Sequence, residues 1–344
     1  MEQLQILEKD EKPKKKLVNL NLKQIKAITH GALYIYDDMG GFTFSRFTPA
    51  QIEHYSKDTL FKNRSHNNTG IRFDFYTDSP VFEMDFTCIE IPRVGTGALD
   101  ILENGALCYS LPADYEQGKK YRVKYEFSNP GKNRITVYLP AFSEIIVKRV
   151  SLLEDCDITP VKHAKKMLML GDSITQGAFV TNSCASYANL LSRIFDVELL
   201  NQGVSGYYFN VGSLDGGLSF GPDYILIAYG ANDKKYNKTI PELMANVEAY
   251  IKKLTGMYKK AKFFLVLPWW CLNPIDEKSY ITDFNEVRKA ISDVVEKYPQ
   301  LTVIDGYSAT PHLEEFFADK THPNQAAHAH MALHIASVIR KYIK

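Results

Sequence analysis

The chain has 344 residues, 45% apolar and 24% charged, with 41 basic against 40 acidic side chains and a net charge of +1. That is the make-up of an ordinary soluble globular protein, long for one core and comfortable for two. So even a balance excludes a global field that would draw in nucleic acid or an anionic membrane.

The first residues, MEQLQILEKD, are acidic and lack the apolar centre of a secretory signal. The alternating charges and proline of EKDEKPKKK (8–16) read as a solvated tail. No apolar run approaches the roughly 18 residues that span a bilayer. The five cysteines, Cys88, Cys108, Cys156, Cys184 and Cys271, are odd in number, far apart and without a Cys-x-x-Cys pair. They fit a reduced, cytoplasmic protein with no disulfide framework and no thiolate metal site.

From about Leu17 to Leu153 the apolar pattern has period two. Ile71, Phe73 and Phe75 share one face, as do Phe82, Met84 and Phe86, and Tyr121, Val123, Tyr125 and Phe127. Such alternation predicts strands with one buried face. Asn104-Gly105 sits between two strand-like runs, a hairpin signal because both residues accept positive φ. SNPGKN (128–133) is a further turn, and TPAQIEHYSKD (48–58) is the helical insertion. Many short strands with few helices predict an antiparallel β-sandwich, jelly-roll-like, over residues 1–160.

After EDCDITPVKHAKK (154–166) the period changes, and residues 161–344 read as a second domain. Short apolar strands at 167–170, 197–200, 223–228, 262–267 and 301–304 alternate with amphipathic helices near 186–195 and 240–259, then one carrying Phe284 to Val295 and a last one carrying Met331 to Tyr342. Thr239 with Glu242 suits a capping box and Asn324 an N-cap. The alternation predicts an α/β domain, a parallel sheet flanked by helices.

In such a sheet, ligands bind beyond the carboxyl ends of the strands. The segments just past those ends are polar here: Gly171-Asp172-Ser173, NQGVSG (201–206), GAND (230–233), and, past a short helix, DKTHPN (319–324). Together they form a hydrolytic set. A serine nucleophile needs a base within hydrogen-bond reach, and His322 can take its proton. Asp319, three residues earlier, can fix the histidine tautomer. An oxyanion needs donors: the N–H of Ser173, the N–H of Gly203 and the side-chain amide of Asn232 are the candidates. Asp172 and Asp233 read as structural residues of their turns.

These four blocks, in this order, resemble those of SGNH (GDSL-type) hydrolases over roughly residues 165–344. The resemblance implies Ser173 as nucleophile, His322 as base, Asp319 as third triad member, and Gly203 and Asn232 in the oxyanion hole. A β-sandwich placed before that domain is similar to the family-2 carbohydrate esterases, which remove acetyl groups from sugars. The expected activity is therefore hydrolysis of small O-acyl esters through an acyl-enzyme, with acetylated oligosaccharide as substrate and with neither cofactor nor metal. Lipid or thioester hydrolysis on the same scaffold is one alternative, and a non-catalytic carbohydrate-binding protein is the other. Oligomeric state is left open.

Two further signals stand apart from these blocks. Trp269 and Trp270, in PWW (268–270), come directly after a strand end and are candidate platforms for a sugar ring, or else core residues. His328, His330 and His334 crowd the last helix. His330 and His334 lie four apart on one face, but no glutamate comes after His330 and no third ligand is evident, so all three read as surface or interface histidines rather than a metal site.

Overall fold

The computed structural model describes residues 16–90 and 97–343. The tail read at 8–16 therefore lies outside the described residues, except for Lys16. Chain order in the first half is β1 (Leu17–Asn19), α1 (Leu22–Ile28), β2 (Thr29–His30), β3 (Tyr34–Asp38), β4 (Gly41–Ser45), α2 (Pro49–Tyr55), α3 (Thr59–His66), β5 (Arg72–Thr77), β6 (Val81–Glu90), β7 (Leu99–Glu103), β8 (Ala106–Leu111), β9 (Lys120–Glu126), β10 (Asn133–Tyr138), β11 (Glu144–Leu153) and β12 (Ile158–Pro160).

These strands make two antiparallel sheets, ordered β3-β4-β11-β6-β9 with β1 beside β11, and β12-β5-β10-β7-β8 with β2 beside β5. One apolar core lies between them. Phe73, Phe75, Ile101, Ile135 and Val137 from one sheet meet Phe82, Met84, Phe86, Val123 and Val147 from the other. The period-two alternation supplies these inward faces. Asn104 and Gly105 both take positive φ, 52° and 88°, and close the two-residue hairpin between β7 and β8.

One strand departs from the simple alternation. On β5 the inward residues are buried, but so are the outward Arg72 and Asp74. The outer face of this sheet is covered by the second half of the chain, which turns a polar face into a buried one.

The second half runs β13 (Lys165–Gly171), α4 (Ser173–Gln176), α5 (Tyr187–Phe195), β14 (Val197–Gly203), β15 (Tyr224–Ala228), α6 (Asp233–Tyr236), α7 (Ile240–Met257), β16 (Lys262–Val266), α8 (Phe284–Val295), β17 (Leu301–Ile304), α9 (Gly306–Ala309) and α10 (Gln325–Ile339). All five strands are parallel, in the order β14-β13-β15-β16-β17. Alternate residues feed two cores. Leu168, Leu170, Ile225 and Leu265 face one side, and Met167, Met169, Leu226 and Phe264 the other. The first of these cores also takes in Phe47, Tyr55 and Phe61 from the loops and helices of the first half. The two sheet systems thus share buried apolar surface.

Asn324 caps α10 by accepting from the N–H groups of Ala326 and Ala327. Thr239 caps α7 by accepting from Glu242 N, but the Glu242 carboxylate turns to Lys238 N instead of closing the box. Among the described residues no helix is long and apolar enough to cross a membrane.

The surface reading of His328 is overturned. It is fully buried, because residues 327, 328, 331, 332 and 335 form the inward stripe of α10. Its Nδ1 accepts from Tyr187 N at 3.2 Å. His330 is exposed and bonds the Ala309 carbonyl at 3.0 Å. Burial pulls the His328 pKa down to about 4, against about 6.5 in an unfolded chain. The folded protein then binds fewer protons than the unfolded one between those values, so stability must fall as pH drops through that window. We predict a loss on the order of 3 kcal/mol between pH 7 and pH 4 attributable to this ring. Urea unfolding of the wild type and of His328→Asn across that range checks it: the variant should have a flatter pH profile.

Candidate active site

The site assembles at the carboxyl end of β13. The strand stops at Gly171, and Asp172 caps the single-turn helix α4 by accepting from Ile174 N at 3.0 Å. Ser173 is the first residue of that turn and is 7% exposed. Its Oγ lies 3.0 Å from Nε2 of His322. His322 Nδ1 lies 2.8 Å from Oδ2 of Asp319. With the proton on Nδ1 donated to the carboxylate, Nε2 presents its lone pair to the serine hydroxyl.

Asp319 and His322 are held by their own loop. Oδ1 of Asp319 accepts from the backbone N–H of Thr321 at 2.7 Å and of His322 at 2.6 Å. Ala318 N donates to the His322 carbonyl and Asn324 N to the Phe316 carbonyl, so the loop closes like a small hairpin. Burial alone would raise the Asp319 pKa, but the hydrogen bonds and charge of His322 outweigh it and bring it down to about 2. The Phe179 ring lies against the His322 ring, 5.0 Å from it centroid to centroid.

Asn232 stands at the end of β15. Its Nδ2 donates to the Tyr207 carbonyl at 3.1 Å and reaches Asp172 Oδ2 at 3.4 Å. Two buried carboxylates lie close by. Burial raises Asp172 to about 6, and burial with repulsion from Asp172 raises Asp233 to about 7. Asp233 accepts from Phe209 N at 3.1 Å and so pins the 205–209 turn.

Gly203 is placed differently from its expected role. Its N–H donates to Asn201 Oδ1 at 2.9 Å, inside the ladder of β14, so it is already occupied. What requires glycine there is space: a Cβ would lie 2.5 Å from the backbone N of Gln176 in α4. In the turn after it, Tyr207 N bonds the Val204 carbonyl and Ser205 N donates to Gln176 Oε1. Gly206, at φ +80°, has no hydrogen-bond partner for its N–H among the described residues. It is the unspent backbone donor of this block. The sequence offered a signal, since NQGVSG holds two glycines, but spacing does not say which N–H a neighbouring side chain consumes.

Trp269 is corrected to a core residue: it is 4% exposed and packs on Tyr187 at 5.7 Å. Trp270 is half-buried, stacked on His312 at 4.5 Å with Phe317 edge-on at 5.3 Å. It thereby braces the segment leading into Asp319.

Sequence reasoning missed the contribution of the first half. Leu60 and Phe61 of α3 are the nearest side chains to Gly206, 3.6 and 3.7 Å from where its Cβ would be. Gln176 Nε2 donates to the Arg64 carbonyl at 3.1 Å and to Asn67 Oδ1 at 3.0 Å. The fully buried Arg46 donates to the carbonyls of Asn67 (2.8 Å), Asn201 (2.6 Å), Gly203 (3.1 Å) and Arg64 (3.0 Å). Gln51 and Gln202 bond each other across the same boundary.

A serine, a histidine and a carboxylate thus stand in line at the end of a parallel strand, in an α/β domain that follows two antiparallel sheets. Residues 169–330, which hold every one of these polar blocks, match the GDSL-like Lipase/Acylhydrolase family. No curated protein matches the chain in sequence. Its fold is similar to that of the salicylyl-acyltransferase SsfX3 from a tetracycline biosynthetic pathway, at TM-score 0.80 and 15% identity, covering 96% of this chain and 99% of that one. It is also similar to a family two carbohydrate esterase from Cellvibrio japonicus (TM-score 0.66, 14% identity, 95% and 97% covered). A family two carbohydrate esterase from Clostridium thermocellum, in complex with cellohexaose, aligns at TM-score 0.63 and 13% identity, with 91% and 98% covered.

Replacing Arg46 tests how the site is supported. Arg46→Met strands four buried carbonyls at about 1–3 kcal/mol each before relaxation, so we predict a stability loss of at least about 3 kcal/mol. Arg46→Lys should recover only part of it, because an ammonium cannot span the same fork. Denaturant midpoints of both variants measure this; a loss under about 1 kcal/mol for the methionine variant would contradict it.

Proposed function

We propose that this chain is a serine esterase that hydrolyses small O-acyl esters, with O-acetyl groups on carbohydrate as its substrate. The observation that supports this most directly is the unbroken chain of hydrogen bonds from Ser173 Oγ through His322 to Asp319 at the end of β13.

In this reading His322 Nε2 removes the hydroxyl proton as Ser173 Oγ attacks the ester carbonyl, then returns it to the departing alkoxide. Asp319, anionic across the neutral range, keeps Nδ1 protonated and steadies the imidazolium. Charge gathers on the former carbonyl oxygen. The Ser173 N–H, the Gly206 N–H and Asn232 Nδ2 are its donors, the amide giving up its long 3.4 Å bond to Asp172 to do so, with Gly203 acting through space-making rather than through its own N–H. Water activated by the same histidine then hydrolyses the acyl-enzyme.

The carbohydrate assignment draws on the family two carbohydrate esterases that share the fold over nearly the whole chain, one of them with cellohexaose bound. Of the two tryptophans, Trp270 is the one that can meet a sugar ring, since Trp269 is buried. A cytoplasmic location completes the proposal and limits the substrate to short acetylated oligosaccharides or glycosides.

Three measurements test it. Ser173→Ala should abolish turnover while leaving the unfolding midpoint in place, and a fluorophosphonate should label Ser173 alone. Asn232→Ala should lower kcat by roughly a hundredfold with little change in KM, because the donor acts on charge that exists only in the transition state. Acetate release should be faster from acetylated oligosaccharides than from the matching polymer. A preference for long-chain nitrophenyl esters with no release from either carbohydrate would favour lipid or thioester hydrolysis, and sugar binding without turnover would favour a carbohydrate-binding protein.

A further inference from the structure

At the far end of the parallel sheet from Ser173, a cavity of about 300 Å³ lies between the outer face of the β5–β10–β7 sheet and α5. It borders Asp196, just before β14 begins, whereas the catalytic block sits where β14 ends; the length of that strand puts roughly 20 Å between the two. Its walls carry three guanidiniums, Arg72 from β5, Arg134 from β10 and Arg193 from α5, with His163 and the carboxylates of Asp74 and Asp196.

The carboxylates do not take up every N–H of these guanidiniums. Asp74 is engaged by Arg134 through two bonds, at 2.9 and 2.8 Å, and by Thr136 at 3.1 Å. Asp196 is 76% exposed and accepts from His163 Nδ1 at 3.0 Å. Glu198, behind the wall, is held by the His30 ring and by Gly31 N. Arg72 has long contacts of 3.7 Å to Asp74 and Glu198, one bond of 3.2 Å to His163 Nε2, and a buried Nη1 that has no partner among the described residues. It is 2% exposed. Arg193 meets no carboxylate among the described residues; its Nη1 donates to the Cys184 carbonyl and to Tyr138 Oη. Arg193, exposed, and Arg134, 31% exposed, keep N–H groups with no partner among the described residues, and these are the donors an acceptor inside the cavity would meet.

His30, His163 and Glu198 also come within metal-ligating distance of one another. A cation there would face Arg72, whose Nη2 already lies against both His163 and Glu198. The guanidinium fills the role a metal would have, so the cluster favours an anion in front of Arg72 over a metal behind it.

We propose that this cavity binds a phosphate dianion, free or carried as a monoester on a small organic body. Three guanidiniums approach from two separate walls, the β5–β10 sheet and α5. That suits a tetrahedral anion that accepts from several directions better than a planar carboxylate, which takes one coplanar fork. The ligand would bridge the two halves of the chain, adding contacts from the sheet on one side and from the helix on the other. Binding the folded state alone, it would stabilise the protein in proportion to the logarithm of its concentration once the site is saturated.

The test uses the full chain at constant ionic strength, with inorganic phosphate and glucose 6-phosphate as probes and chloride as the control. Calorimetric titration should give one saturable site, and the melting temperature should rise with either probe. Tighter binding of glucose 6-phosphate identifies a monoester ligand, and equal affinity identifies free phosphate. Arg193→Gln should weaken binding roughly tenfold or more, Arg193→Lys less, with hydrolysis of a small nitrophenyl ester unchanged in both. If Arg193→Gln does not fold, the lysine variant carries the comparison. Absence of saturable binding in the wild type, or unchanged affinity in the folded variants, overturns the proposal.

Discussion

The Arg46 guanidinium is the interaction on which the rest of the site depends. It comes from the strand–helix connection of the first half and ends among four carbonyl oxygens, two of them at the carboxyl end of β14. Burial draws its pKa down, and among the described residues it meets no carboxylate, so the carbonyl dipoles and the face of the Phe47 ring, 4.8 Å away, hold the charge. That demand fixes the backbone at Asn201 and Gly203. With those carbonyls fixed, Asn201 Nδ2 reaches the Thr175 carbonyl in α4, and Gln176 ties the same helix to Asn67 and to the turn at Ser205. Ser173 therefore sits on a four-residue helix whose far end is anchored by polar groups of both domains.

This anchoring bears on the proposed esterase chemistry. An oxyanion hole works because its donors are already aimed when charge appears, and reorganisation then costs little. A four-residue helix has too few internal bonds to be rigid by itself. Here the rigidity comes from outside it, through Gln176, Asn201 and the α3 residues packed on Gly206. Asp172 and Asp233, buried and raised in pKa, hold Asn232 and the 205–209 turn by accepting hydrogen bonds.

The same docking explains the polar outer face of β5. An isolated sandwich would show Arg72 and Asp74 to water. Covered by β14 and α5, they become a buried charge network with Arg134, Glu198, His30 and His163. Apolar contact sets the two halves together through Phe47, Tyr55 and Phe61, while the buried charges fix one relative orientation, since any shift would leave an ion without its partner.

The sequence by itself determined the elements and the polar blocks at their ends. Period-two and period-3.6 patterns are local consequences of which face is buried, so strands such as 197–203 and helices such as 240–257 were legible within a few residues. Ser173, His322, Asp319 and Asn232 were legible because each comes after a strand or lies in a polar block at its end. Whatever depends on which groups the packing consumes was not legible. The Asn201 side chain took the Gly203 N–H and left that of Gly206. The core took Trp269, and the inward stripe of α10 took His328. The α3 helix has a weak apolar pattern, and its meaning lies in what it touches. Arg46 and Arg72 read as surface charges in any local window. They became buried anchors only when two domains met, because burial and partner are properties of the assembled surface and not of spacing along the chain.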